Sequence, residues 1–256
     1  MENWSKADLK NYLDEKADTY ESVRFLESDP LGVVHRVSDT KDVELFGLLV
    51  ALIAWGNRKS IIQSAENLLH RLEYSPYCFL LECNDKELQS SCNGFVHRTF
   101  NANDLYFLLS RLRTYYLEND SISHFFNDSD AYMHRGISKL RAFILQTPHE
   151  NRFDKHIADP SKGSAAKRIH LYLRWMVRSS KRGVDFGIWS EIPSSKLSCP
   201  LDVHSGRVAK TLGLLNRKQN DLKALNELDT ALRAFDPIDP VRYDFALFGI
   251  GAFEQF

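Results

Sequence analysis

Apolar residues recur at steps of three and four along most of the chain. Between positions 42 and 55, Val43, Phe46, Leu49, Val50, Ile53 and Ala54 make one wide stripe, with Glu44 at its polar edge. Positions 60–72 repeat the pattern with Ile61, Ile62, Ala65, Leu68, Leu69 and Leu72. Positions 103–117 do so with Leu105, Leu108, Leu109, Leu112 and Tyr116, and Ile137 to Leu145 reads as a further helix. No stretch alternates in the manner of a strand between hairpin turns. The pattern predicts an all-α fold of roughly ten helices.

Breakers mark the joints. Gly56-Asn57 ends the first apolar helix and Ser75-Pro76 the second, and Pro148, Pro160 and Gly163 frame the midpoint. Gly183, Gly187, Pro193 and Pro200 predict an irregular connection between Arg182 and Leu201. Asp236-Pro237 and Asp239-Pro240 form a stiff corner before a last helix near Val241. No internal repeat or low-complexity tract interrupts this order, so residues 1–256 read as one domain.

Composition narrows the class. The 256 residues are 43% hydrophobic and 26% charged, as in an ordinary globular protein. Cys78, Cys83, Cys92 and Cys199 fit neither zinc-knuckle spacing nor a tight disulfide framework, which predicts free thiols, no metal and no cofactor. The first eighteen residues are acidic and lack an apolar h-region. The longest apolar run, Leu45 to Trp55, is about half of the ~20 residues that a bilayer needs. A cytoplasmic, non-membrane protein is expected, with a monomer as the simplest state.

Net charge conceals an asymmetry. The total is −1, yet the segment from Ser161 to Lys218 holds twelve basic and three acidic residues, +9 against −10 for the rest. Such polarity is the footprint of a phosphate-backbone binder, or of a solvated basic face packed against acidic helices. Lys167, Arg174, Arg178 and Lys181 fall at helical steps, opposite Ile169, Tyr172, Leu173, Met176 and Val177. A helix starting near Ser164 would follow the turn Pro160-Ser161-Lys162-Gly163-Ser164, whose amides would suit one phosphate.

The most distinctive phrase runs from Pro200 to Leu215. A lone acid, Asp202, sits among apolar residues before a helix that stops at Leu212-Gly213-Leu214. As an Asp before an apolar helix it is also a natural N-cap. With His204, Arg207 and Val208 the phrase resembles a stretch of the helix-hairpin-helix DNA glycosylases, the endonuclease III superfamily. That resemblance implies a two-lobed helical fold, with hairpin and catalytic segment at about 155–215, and makes Asp202 a catalytic carboxylate. The segment Lys167 to Met176 is similar to the helix after the hairpin in the archaeal-type 8-oxoguanine glycosylases, which makes Lys167 the nucleophile. Those enzymes also separate lysine and aspartate widely, as Lys167 and Asp202 are here. The hairpin departs from the usual Gly-x-Gly by keeping Gly163 alone. No cysteine follows Cys199, so the iron–sulfur cluster of endonuclease III is not expected.

The resemblance extends to Ala54-Trp55-Gly56-Asn57-Arg58-Lys59, similar to an early helix and loop that probe DNA near a lesion. The whole chain, with Tyr243 to Gly251, resembles a bacterial family close to the archaeal-type 8-oxoguanine enzymes. It implies excision of an oxidised purine from double-stranded DNA, with or without a strand-cleaving lyase step. Lys162, Gly163, Ser164, Arg168, Arg174, Arg207, Asn57 and Arg58 would contact DNA. Trp55, Trp175 and His204 would line the base pocket, although Trp175 and Trp189 fit a core and His204 a packing role equally well. Read without the resemblance, the residues also suit a non-catalytic nucleic-acid binder or a helical protein-interaction module.

The physical demands are clear. Cleaving an N-glycosidic bond builds positive charge on the sugar, which a carboxylate stabilises. An attacking lysine must be neutral, and burial near cations such as Arg168 and Arg174 would favour that form.

Overall fold

Helix starts follow from side chains that accept the amides left over in a first turn. The computed structural model describes residues 4–127 and 133–254. Ser5 opens α1 (Lys6–Tyr20) through a capping box with Asp8, and α2 (Leu31–Val34) is a single turn. Asp39 caps α3 (Thr40–Ile53), and Asn57 caps α4 (Arg58–Arg71) by accepting the Lys59 and Ser60 amides. Pro76 stands in the first turn of α5 (Pro76–Glu82). Asn84 and Asn101 form capping boxes on α6 (Asp85–Cys92) and α7 (Ala102–Tyr116). Later come α8 (His134–Ile144), α9 (Lys167–Val177), α10 (Val203–Thr211), α11 (Leu222–Phe235) and α12 (Tyr243–Phe253). The fold is all-α.

Three local features depart from expectation. A small hairpin, β1 (Val96–His97) with β2 (Phe100–Asn101), pairs Val96 with Asn101 and His97 with Phe100. Two residues per strand are too few to show alternation. Helix α9 begins at Lys167 rather than near Ser164, because Ala166 takes a left-handed backbone, φ +44°. Asn57 starts a helix rather than ending one, since α3 stops at Ile53. The connection from Arg182 to Leu201 is irregular as expected, and all four cysteines are free. Among the described residues no helix is long and apolar enough to cross a membrane.

Two apolar clusters form the core. The larger takes in α2 to α9, with Phe46, Leu49, Leu109, Tyr172 and Trp189. The smaller unites Leu13 and Ala17 of α1, Val208 and Ala209 of α10, Leu225, Leu228 and Leu232 of α11, and Tyr243, Leu247 and Ile250 of α12. Helix α3 packs on α9, and α12 on both α1 and α10. Lys167 therefore starts a helix of one cluster, and Asp202 precedes a helix of the other.

Buried charge corrects the sequence reading in several places. Glu44 does not lie at a polar edge. It is buried, and its carboxylate accepts from Tyr116 Oη (2.8 Å), Ser121 Oγ, the Ile122 amide (3.0 Å) and Trp189 Nε1 (2.7 Å). Arg174 and Arg178 are not on a basic face either. Arg174 is 2% exposed, paired with Asp185 (3.2 Å) and Asp244 (2.5 Å). Arg178, past the end of α9, pairs with Glu21 (2.8 Å), Asp185 (2.7 Å) and Asp239 (2.7 Å). Both guanidinium groups also lie over the Phe245 ring, at 4.3 and 5.2 Å. Glu21, Asp239 and Asp244 come from outside the basic segment, so part of its +9 is neutralised inside the protein. Each arginine replaces its lost hydration with carboxylates, which buried charge requires.

Candidate active site

Asp202 is the N-cap of α10. Its Oδ1 accepts the Ser205 amide (2.9 Å) and Ser205 Oγ donates to it (3.2 Å), while the Asp202 amide donates to Ser205 Oγ (2.8 Å). This capping box consumes one carboxylate oxygen. The other, Oδ2, stands 3.7 Å from Lys167 Nζ. Their side chains are 19% and 31% exposed, enough to be reached and too little to be freely solvated. Capping and pairing with Lys167 thus coexist on one aspartate.

The pair opens onto a cleft of about 1080 Å³. Its walls come from the α3–α4 corner (Trp55, Asn57, Arg58, Lys59), the first turn of α9 (Lys167, Arg168, Leu171), the start of α10 (Val203, His204), α12 (Phe248) and the segment Glu27–Pro30. That volume lies just above the range of ordinary ligand clefts, ~300–1,000 Å³. Trp55 is braced from behind. Its carbonyl bonds His97 Nε2 (3.1 Å), and the Arg98 guanidinium lies 4.8 Å from its ring centre. Trp55 Nε1 is buried and meets no hydrogen-bond acceptor among the described residues. Arg58 packs over Phe248 (5.0 Å) and Phe253 (5.6 Å). His204 lines the cleft, with Nδ1 at 3.2 Å from the Gly251 carbonyl.

Arg168 lines the same wall but is partly spent. It donates to the Leu52 and Lys155 carbonyls, and burial pulls its guanidinium down to about 10. Asp29 is pushed above the ordinary carboxylate range by burial, against the Leu31 amide it accepts and the charges of Arg174, Arg58 and Lys167. Behind the pair, burial also raises Asp244, against the Arg174 cation that holds it.

Several expected site residues lie elsewhere. Trp175 is fully buried in the larger cluster and cannot form a pocket wall. Arg174 cannot reach a phosphate from its buried ion pairs. Arg207 is exposed outside the cleft lining and donates to the Gly251 carbonyl (2.8 Å). The amides of the 160–164 turn are already used: Lys162 N and Ser164 N donate to the Asp159 carbonyl (3.1 and 3.2 Å), and Gly163 N to that of Pro160 (2.9 Å). The phosphate nest expected there does not exist, although the Lys162 side chain is 77% exposed. Gly163, at φ +86°, supplies the left-handed turn, and its carbonyl accepts Leu222 N (2.9 Å).

Other lining residues were not foreseen. Asn220 donates to the Asp202 carbonyl (2.7 Å) and accepts from Lys210 Nζ (2.8 Å). Gly206 makes room for it, since a Cβ there would meet Asn220 Nδ2 at 2.6 Å. Asp29 and Phe248 carry no spacing signal, because each comes from an element remote in sequence from the motif, and neither does Arg98, which packs on Trp55 outside the lining.

A family model described as "Protein of unknown function (DUF2400)" matches residues 29–253. The chain belongs to this family. The match begins at Asp29 and takes in Trp55, Lys167, Asp202 and Phe248, so the cleft lining other than Glu27 and Ser28 lies within the DUF2400 region. No curated protein and no solved structure matches the chain.

Proposed function

We propose that this DUF2400 protein is a DNA base-excision glycosylase of the helix-hairpin-helix type, acting on an oxidised purine such as 8-oxoguanine. The observation that carries the reading is the 3.7 Å approach of Lys167 Nζ to Asp202 Oδ2 at the floor of a cleft rimmed by Arg58, Lys59 and Arg168. An amine beside a carboxylate is the pair that glycosidic cleavage needs. The cations suit a phosphate backbone, and Trp55 and Phe248 give aromatic surface to a base that has left its stack.

In the reaction, the Lys167 amine attacks the anomeric carbon as the bond to the base breaks. The proton lost by the amine leaves with the base, so charge balances. Asp202, its Oδ1 fixed by Ser205, presents Oδ2 to the positive charge that develops on the sugar. Opening of the sugar ring then gives a Schiff base, from which strand cleavage follows in a lyase step.

Borohydride trapping on a duplex carrying 8-oxoguanine tests this directly. A covalent adduct is expected for the wild type and none for Lys167→Gln. Neither adduct nor base release, with salt-dependent duplex binding intact, would instead make the chain a non-catalytic binder.

A further inference from the structure

The cleft sets four cations beside three carboxylates, Glu27, Asp29 and Asp202. Lys59, Arg58, Lys167 and Arg168 can only donate. Among its acceptors, Asp202 is engaged with Ser205 and Lys167, Asn57 with the α4 amides and Asn220 with Lys210, while His204 donates from Nδ1 to the Gly251 carbonyl and Glu27 is an exposed carboxylate at the edge. Asp29 differs. Its Oδ1 accepts the Leu31 amide at 3.0 Å, and Oδ2 receives no hydrogen bond from any described residue. Oδ2 is also not sealed inside the protein, since it is not among the buried polar atoms that lack a partner. Asp29, which also borders a neighbouring hollow of about 310 Å³ with Gly32 and His35, therefore brings to the cleft lining a half-buried carboxylate with one oxygen that the fold itself does not use.

We propose that Asp29 reads the edge of the extruded base, selecting a purine that presents adjacent N–H donors, as a guanine-type base does. The assignment rests on the base-excision reading above and names its substrate class. A carboxylate oxygen only accepts, and the free Oδ2 has lone pairs for two donors. It matches the neighbouring imino and amino N–H groups of guanine, and it opposes adenine, whose edge places a ring acceptor beside an amino donor. In a site of restricted hydration such charge-assisted bonds are strong, and an unmatched edge leaves a buried polar group unpaired. Burial raises the Asp29 carboxyl while Lys167, Arg58 and Arg174 act to keep it ionised, a balance suited to a ligand that brings its own donors. The Leu31 amide fixes the carboxylate's orientation, so its free oxygen is aimed before any base arrives.

Asp29→Asn is the discriminating variant, since an amide keeps the oxygen that accepts the Leu31 amide and turns the other acceptor into a donor. Single-turnover base release is measured on duplexes carrying 8-oxoguanine or 8-oxoadenine. Wild type is expected to favour 8-oxoguanine, and Asp29→Asn to shift the ratio toward 8-oxoadenine on the order of 10–100-fold. Asp29→Ser, which keeps an acceptor for the Leu31 amide and removes the free oxygen, should lose 8-oxoguanine release without gaining 8-oxoadenine. It carries the test if the asparagine variant does not fold. A ratio unchanged within about threefold in the variants, an equal loss on both lesions, or a wild type that prefers 8-oxoadenine overturns the assignment of Asp29 alone. Wild type that releases neither base, nor forms the borohydride adduct, overturns the base-excision reading and the assignment with it.

Discussion

Lys167 Nζ stands 3.7 Å from Oδ2 of Asp202, while Oδ1 of the same carboxylate holds the first turn of α10 through the Ser205 amide at 2.9 Å. One side chain thus serves the backbone with one oxygen and the cleft with the other. The two services separate by mutation. Asp202→Asn retains a good N-cap, so its unfolding free energy should lie within about 0.5 kcal/mol of wild type, whereas Asp202→Ala should lose about 1 kcal/mol. Base release should fall in both, on the order of 10²–10³-fold for the asparagine variant. Urea titration and single-turnover kinetics on the same samples check this. An asparagine variant that keeps full activity would leave Asp202 as a cap and nothing more.

The Lys167–Asp202 pair was legible because the acid sits in a phrase with few alternative readings. The cations were less so. Steps of three and four placed Arg174 and Arg178 on a face with Lys167, yet such steps cannot reveal that Asp185, Asp244, Glu21 and Asp239 will converge on them. Glu44 was misjudged for the same reason, since its donors Tyr116, Ser121 and Trp189 are distant in sequence. Trp175 followed the helical spacing of a core residue and belongs to the core. Asp29 gave no signal at all, because an Asp before Pro is an ordinary turn residue until the fold brings α9 and α12 around it.

The buried network around Arg178 predicts a large stability effect with no direct role at the cleft. Removing Arg178 leaves the buried Glu21 and Asp185 beside the 30% exposed Asp239 without the cation they share, although Asp185 keeps Arg174. Arg178→Ala should destabilise the protein by about 3–5 kcal/mol, read as a shift of the urea midpoint. A loss below about 1 kcal/mol would mean that water reaches these carboxylates.

Duplex binding should report which cations face a phosphate backbone. Lys59 lies on the cleft rim and Lys162 projects from the turn before α9, so Lys59→Ala and Lys162→Ala should each lower the slope of log affinity against log salt by about 1. Lys86, exposed on α6 and outside the cleft, is the control whose replacement should leave the slope unchanged. Equal slopes for all three variants would move the binding face away from the cleft.

Acid should weaken the fold through His170. This ring is wholly buried against His134 (centroids 5.5 Å apart), and neither nitrogen finds a hydrogen-bond partner among the described residues. Burial, with the charges of His134 and Arg233, brings its pKa down to about 3 from 6.5. Between those values the unfolded chain binds a proton that the folded chain refuses, so the His170 contribution is whole above pH 6.5 and is lost as pH falls toward 3. Going from pH 7 to pH 4.5 should cost wild type about 2–3 kcal/mol through this residue, a loss that His170→Leu should not show. Asp229 works in the opposite direction. Burial raises it to about 6 from 3.8, so its contribution is present at low pH and disappears as pH rises through 6, and Asp229→Asn should flatten that decline. Urea midpoints at pH 4.5, 5.5 and 7 separate the two residues. Parallel pH profiles for wild type and His170→Leu would show that the ring finds a proton acceptor or water inside the fold.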